Sequence, residues 1–414
     1  MQISDPRCKA YAQLLIRAGV NLQPGQRLLI ECCLERADFA RLCAAEAYEA
    51  GCSEVLFRWR DDEFTRMKYL RAAEAVFDRA DPWTSAMLNE LSEEGAGLLA
   101  IVGEDPRNLR GVAPDRIRRA RTATGNAVRP FRERESRNEF PWCVCAAPTA
   151  AWAEAVFPVL APEAAVDRLW EEIFRACRVA ETPGADAVAG WHAHTAALKT
   201  RVETLNSLRL RTLHYRNGLG TELRVELPED HFWAGGDERC VRSGLPFSAN
   251  LPSEEIFTLP RRDGVNGVVY GSKPLVYDGT VIEGLRLELR DGRIVSAAAS
   301  SGEAVLRGAL TVDEGAAYLG EVALVPAASP ISASGILFYE TLFDENASCH
   351  FAFGDAYPCI RGAERMDPEE LRRRGANHSI THVDFMVGTP DLSIVGVTEE
   401  GVMVPVFVNG NFAF

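Results

Sequence analysis

Two periodicities alternate along the first half of the chain. Apolar residues recur at helical spacing over 11–18, 39–50, 86–94, 115–123 and 164–179, and between them short apolar runs at 27–31, 54–57, 97–102 and 142–146 read as strands. Strand alternating with helix predicts parallel βαβ units and a sheet covered on both faces. Glu181-Thr-Pro-Gly184 is the best boundary signal, and one more helix is expected over 191–205. Beyond it the texture changes. Segments 209–213, 222–226, 267–270, 285–289 and 402–408 are β-branched or alternating, and Gly, Asp and Asn separate them. The pattern therefore predicts an α/β chain: an N-terminal parallel-sheet α/β domain over 1–183, followed by a β-rich α+β domain over 184–414 that carries the chemistry.

Composition narrows the class of protein. With 414 residues, 47% hydrophobic and 25% charged, the chain is long enough for two or three globular domains. A formal charge of −14 disfavours nucleic acid or an anionic membrane as partner, because such binding is driven by clustered Lys and Arg. Residues 107–137 are rich in arginine, but acids lie among them and Phe131 is their one aromatic, so a solvated helix face with ion pairs is expected there. No apolar run approaches the ~20 residues of a membrane span, and the start, MQISDPRCKAYAQ, lacks the apolar stretch of a signal peptide. The 11 cysteines have neither CxxC nor zinc-finger spacing, and they read as reduced, mostly buried thiols of a cytoplasmic protein.

The candidate chemistry lies late in the chain. His382-Val-Asp384 sits in a strand-like run, where residues i and i+2 share a face. By itself a His-x-Asp is more often a hydrogen-bonded structural pair. Glu321 stands in the apolar stretch 317–326, where a buried carboxylate is costly unless paired or metal-bound. Glu254-Glu255 lies among apolar neighbours too, although an exposed acid pair at a strand start is the simpler account. His350 and Tyr357 follow within one short segment. Taken together, two imidazoles, several carboxylates and a phenol suit borderline divalent ions. Their number exceeds what one catalytic zinc needs and points to two metals that share a bridging carboxylate and water, an arrangement suited to hydrolysis.

The strings Leu251-Pro-Ser-Glu-Glu-Ile-Phe-Thr258, Ala317-Tyr-Leu-Gly-Glu-Val-Ala-Leu-Val-Pro326, Leu342-Phe-Asp-Glu-Asn-Ala-Ser-Cys-His350, Ala356-Tyr-Pro358 and His382-Val-Asp-Phe-Met386 closely resemble the M29 metallopeptidases, the thermophilic-type aminopeptidases. The resemblance implies a homodimer of two-domain subunits. It also implies a centre of two divalent ions per subunit, zinc in the cell with cobalt, manganese or magnesium as substitutes, that releases amino acids from peptides with a free N-terminus. Carried over by motif, the metal ligands are Glu255, Glu321, His350, Tyr357, His382 and Asp384, with Tyr357 equally able to donate a hydrogen bond to a developing oxyanion. Glu254 is the candidate general base, and His378 falls outside the pattern. The rival is a mononuclear non-haem Fe(II) ring-cleaving dioxygenase of the dihydroxypyridine type, for which His350, His382 and Asp384 would suffice. Glu255 and Glu321 discriminate against it, since a three-ligand iron site has no use for them. A binding protein that kept the fold and lost the chemistry would show gaps in the ligand set, and none is present.

Overall fold

A computed structural model of the chain describes residues 3–179, 186–277 and 280–414. The boundary signal Glu181-Thr-Pro-Gly184 lies outside the described residues. The chain groups into two compact units, one of residues 1–195 with 237–253, the other of 196–236 with 254–414. Helix Ala187–Ser207 is divided between them.

The first unit is built on a four-stranded parallel sheet, in the order Glu54–Arg60, Arg27–Cys33, Gly97–Val102, Trp142–Ala146. Arg27–Cys33 runs centrally and is buried at every position but its first, as expected for a strand covered on both faces. Helix Pro6–Leu14 begins earlier than the apolar pattern suggests, because Asp5 accepts a hydrogen bond from the Arg7 amide and Pro6 occupies the first turn. A further helix, Asp62–Arg71, carries no buried residue, so no apolar stripe marks it in the sequence. The arginine-rich stretch forms helices Pro114–Ala127 and Arg129–Ser136. Its guanidiniums pair with acids: Arg116 and Arg119 with Glu74, Arg118 with Asp115, and Arg132 with Glu135.

The second unit contains an eight-stranded sheet and a five-stranded sheet. The five-stranded sheet runs His382–Met386, His350–Gly354, Leu319–Leu324, Ile256–Thr258, Ala234–Gly235. Val322, Leu324, Phe351, Phe353, Val383 and Phe385 form one apolar core with Leu213, Val225, Leu287 and Ile394 of the larger sheet. Alternation then fixes what the other face carries. Glu321, His350, His382 and Asp384 project there, at the positions between those core residues. The observed architecture is the predicted one, a parallel α/β unit and a β-rich unit with fewer helices. Among the described residues no helix is long and apolar enough to cross a membrane.

A candidate metal centre on the five-stranded sheet

Strand register assembles the centre. Glu321 lies opposite Ala352, which lies opposite Asp384, so two carboxylates flank a methyl group on neighbouring strands. His350 stands one row along, between Ala323 and Met386, and His382 stands on the other side, opposite Gly354. Glu255 enters from the residue before strand Ile256–Thr258, whose Phe257 is paired with Ala323. A register shift between Leu319 and Glu321 sets the Glu321 row. Only glycine fits at the shift, because a Cβ on Gly320 would lie 2.1 Å from the Asp355 carbonyl oxygen.

The result is a compact set of nitrogen and oxygen atoms. His350 Nε2 is 3.2 Å from Glu255 Oε2 and 3.8 Å from Glu321 Oε1. His382 Nε2 is 3.1 Å from the other Glu321 oxygen and 3.3 Å from Asp384 Oδ1. Glu255, Glu321 and His350 thus form one group of ligand atoms, and Glu321, His382 and Asp384 a second, with Glu321 common to both. Backbone carbonyls hold the far side of each ring: His350 Nδ1 is 3.1 Å from Ser348 O, and His382 Nδ1 is 2.8 Å from Asp355 O. A carbonyl accepts only, so each Nδ1 carries the proton and each Nε2 of a neutral ring turns a lone pair toward carboxylate oxygens.

That arrangement is electrostatically incomplete. Among the described residues no Lys or Arg pairs with Glu255, Glu321, Glu345 or Asp384. Burial raises the Glu321 pKa, with Asp384 and Glu255 adding repulsion against the pull of His382. Burial also disfavours the charged imidazole of His350, but the hydrogen bond and charge of Glu255, with Asp384 and Glu321, outweigh it and lift the pKa to about 10. Protons drawn this strongly to the rings mark a place where positive charge is wanted between acceptors. Carboxylate and imidazole donors around such a place fit divalent ions of the zinc class.

The remaining predicted residues sit around this core. Glu254 and Glu255 are buried, 4% and 7% exposed, so the exposed-pair account of them is overturned. Fully buried Asn346 explains why the chain can turn there: its Oδ1 accepts from the Glu254 amide at 2.6 Å, and its amide group donates to Leu342 O and Glu345. Tyr357 is 38% exposed, with its ring 5.5 Å from that of His382 and 5.8 Å from that of Phe257. His378 is exposed and bonds the carboxylate of Asp355 at 2.9 Å, the same residue whose carbonyl holds His382. Glu345 was missed by the sequence reading. It is buried, and burial together with the charges of Glu255, Asp384 and Glu321 pushes its pKa well up. The sequence signal was weak, since Glu345 stands between Asp344 and Asn346 and not in an apolar run as Glu321 does.

Comparison with known proteins identifies the family. The family model described as thermophilic metalloprotease (M29) matches residues 4–412. The chain belongs to the M29 family. As an M29 metallopeptidase it is an enzyme, a hydrolase of peptide bonds that depends on metal. Aminopeptidase AmpS of Bacillus subtilis is 44% identical, covering 100% of both chains, and aminopeptidase T of Thermus aquaticus is 42% identical over 97% of each. The solved structure of AmpT from Thermus thermophilus, 40% identical, superposes with a TM-score of 0.90 over 99% of each chain. A 2,5-dihydroxypyridine dioxygenase from Pseudomonas putida superposes with a TM-score of 0.54 at 12% identity, covering 98% of this chain and 96% of its own, a likeness of fold alone.

Proposed function

We propose that this M29 enzyme is an aminopeptidase that releases N-terminal amino acids from peptides at a dinuclear metal centre held by Glu255, Glu321, His350, His382 and Asp384. The observation that carries the reading is Glu321, whose two oxygens face different imidazoles and so serve two groups of ligands at once. Bound divalent ions, zinc in the cell or cobalt, manganese or magnesium in its place, would supply Lewis acidity and bring the pKa of water towards neutrality. The chain supplies the rest. Its two rings are oriented by Ser348 and Asp355, its buried acids attract the free α-amino group of the substrate, and Glu254 accepts the proton of the attacking water. Tyr357, on the exposed side of His382, serves as a sixth ligand or donates a hydrogen bond to the oxygen that gains charge. Glu345 adds a further carboxylate to the same field.

Other parts of the reading rest on simpler supports. The second unit carries every residue of the centre, and we assign the catalysis to it and a supporting role to the first. Cytoplasmic residence is supported by eleven cysteines that are all buried and form no disulfide. A homodimer is supported by helix Asp62–Arg71, which buries nothing and exposes Phe64, Met67 and Leu70. The test of the function is metal content of freshly purified protein, together with amino-acid release from peptides and from their N-acetyl forms. Release from the free peptides alone, at about two ions per subunit, is expected. Equal turnover of blocked and free peptides, or one iron per subunit with oxygen uptake on a dihydroxypyridine, overturns it.

A further inference from the structure

A half-buried lysine follows a residue hydrogen-bonded to the strand that carries His382 and Asp384. After strand Val265–Tyr270 the chain passes through Gly271-Ser272-Lys273-Pro274 into strand Leu275–Tyr277. The Ser272 amide donates to the Met386 carbonyl at 2.8 Å. Met386 ends the strand that carries His382 and Asp384 and lies directly opposite His350. Lys273 therefore follows a residue tied to the rim of the metal face.

Lys273 is half-buried, and among the described residues its ammonium has no hydrogen bond and no carboxylate within ion-pairing distance. Its pKa is lowered by burial, against the pull of Asp344. Asp344 does not meet it at ion-pair distance, and the Asp344 oxygens accept instead from the amides of Phe338 at 2.8 Å and Glu340 at 3.2 Å. The Ser272 hydroxyl is buried and also lacks a partner. A desolvated cation and, one residue earlier in the chain, an unsatisfied hydroxyl are costly unless something anionic binds them.

The strand sets the scale of the separation. Asp384 and Met386 are two residues apart on one strand face, roughly 6.6 Å. Extended chain covers about 3.3–3.6 Å per residue, so a dipeptide held by its amino end among the carboxylates has its own carboxylate about 7 Å away, and a tripeptide about 10 Å. We propose that Lys273, with the Ser272 hydroxyl, receives the free C-terminal carboxylate of a di- or tripeptide bound at the centre, so that the enzyme selects short peptides with an unblocked C-terminus. The inference rests on the aminopeptidase reading above.

The experiment compares Leu-Gly with Leu-Gly-amide, and Leu-Gly-Gly with its amide, on the wild-type holoenzyme and on Lys273→Met and Lys273→Arg. A charge-assisted contact of this kind is worth on the order of tenfold or more, so wild-type KM should be lower for each free acid than for its amide by that factor. In Lys273→Met that ratio should collapse towards one, and in Lys273→Arg part of it should survive. Metal content is measured in parallel, and it should be the same in all three proteins. Wild-type enzyme that cleaves acid and amide with equal KM overturns the Lys273 assignment and leaves the aminopeptidase reading standing. So does a Lys273→Met enzyme that keeps the ratio, or one that loses acid and amide alike. Wild-type enzyme that cleaves neither form overturns the reading and the assignment together. The wild-type ratio decides even if Lys273→Met fails to fold.

Discussion

Cys143-Val-Cys145 in the first unit and His382-Val-Asp384 in the second use the same backbone device. Each puts two reactive side chains on one face of a strand, with a valine between them turned the other way. Their surroundings differ. Cys143 and Cys145 are fully buried among Cys32, Cys43 and Tyr11, and burial pushes the Cys143 and Cys145 thiols well above their ordinary pKa. They remain neutral and pack as small apolar groups. Burial also opposes charge on Asp384, yet the pull of His382 and His350 holds its pKa low. A sheet can bury thiols at little cost, whereas buried carboxylates cost several kcal/mol unless something positive compensates them. The first arrangement is complete in the protein alone, and the second calls for bound cations.

The comparison breaks most easily at the metal. Chelation should stop peptide hydrolysis, and zinc or cobalt should restore it. At about 1,000-fold saturation over Kd, bound metal stabilises by roughly 4 kcal/mol. Chelation should therefore speed hydrogen exchange in strands His350–Gly354 and His382–Met386 and leave Gly97–Val102 and Trp142–Ala146 as they were. Unchanged exchange in the strands of the acidic face would show that its stability does not depend on the ions.

Smaller effects separate the acids from one another. Glu254→Gln keeps size and hydrogen-bonding capacity but cannot accept a proton, so kcat should fall on the order of 10² to 10⁴-fold with metal content near wild type. Glu255→Ala should instead lose metal, and excess metal should recover part of the activity by mass action. A Glu254→Gln enzyme with normal kcat would move the proton acceptor elsewhere, with Glu345 the first alternative. Tyr357→Phe is expected to cost about 10²-fold in kcat if the phenol donates to the oxyanion. Loss of metal in that variant would make Tyr357 a ligand.

The two regions were legible in the sequence for opposite reasons. In the first unit the elements could be read, because strand and helix periods alternate cleanly; Gly97–Val102 and Trp142–Ala146 fall at their expected limits. Helix Asp62–Arg71 could not, since it packs no apolar stripe. In the second unit the candidate ligands could be picked out before the strands that carry them. Leu319–Leu324 and His350–Gly354 are buried at every position, so no alternation announces them as strands, but an acid or imidazole in such a run stands out. What the sequence withheld was register. That Glu321 and Asp384 flank Ala352, that Asn346 pins the Glu254 amide, and that Glu345 joins the same field all depend on pairings between distant segments.

The smallest effect should come from the thiols, and it tests whether they are as inert as the comparison holds. Cys145 has an ordinary pKa near 9, and burial raises it well above that in the folded chain. The unfolded chain therefore loses this proton at a pH where the folded chain still holds it. Stability from the buried thiol is fully present below about pH 9 and is withdrawn as pH rises, at about 1.4 kcal/mol per pH unit for one group. Cys145→Ala removes that proton from the balance. Urea unfolding between about pH 9 and 10.5 should then show a pH dependence shallower by that amount, after a loss of about 1 kcal/mol at neutral pH for the missing sulfur. Peptide hydrolysis at pH 7 should be unaffected, because the thiol is in the first unit and the metal ligands are all in the second. An unchanged slope would mean that Cys145 ionises within the folded protein, and the thiol face would then be nearer in kind to the acidic one than its burial implies.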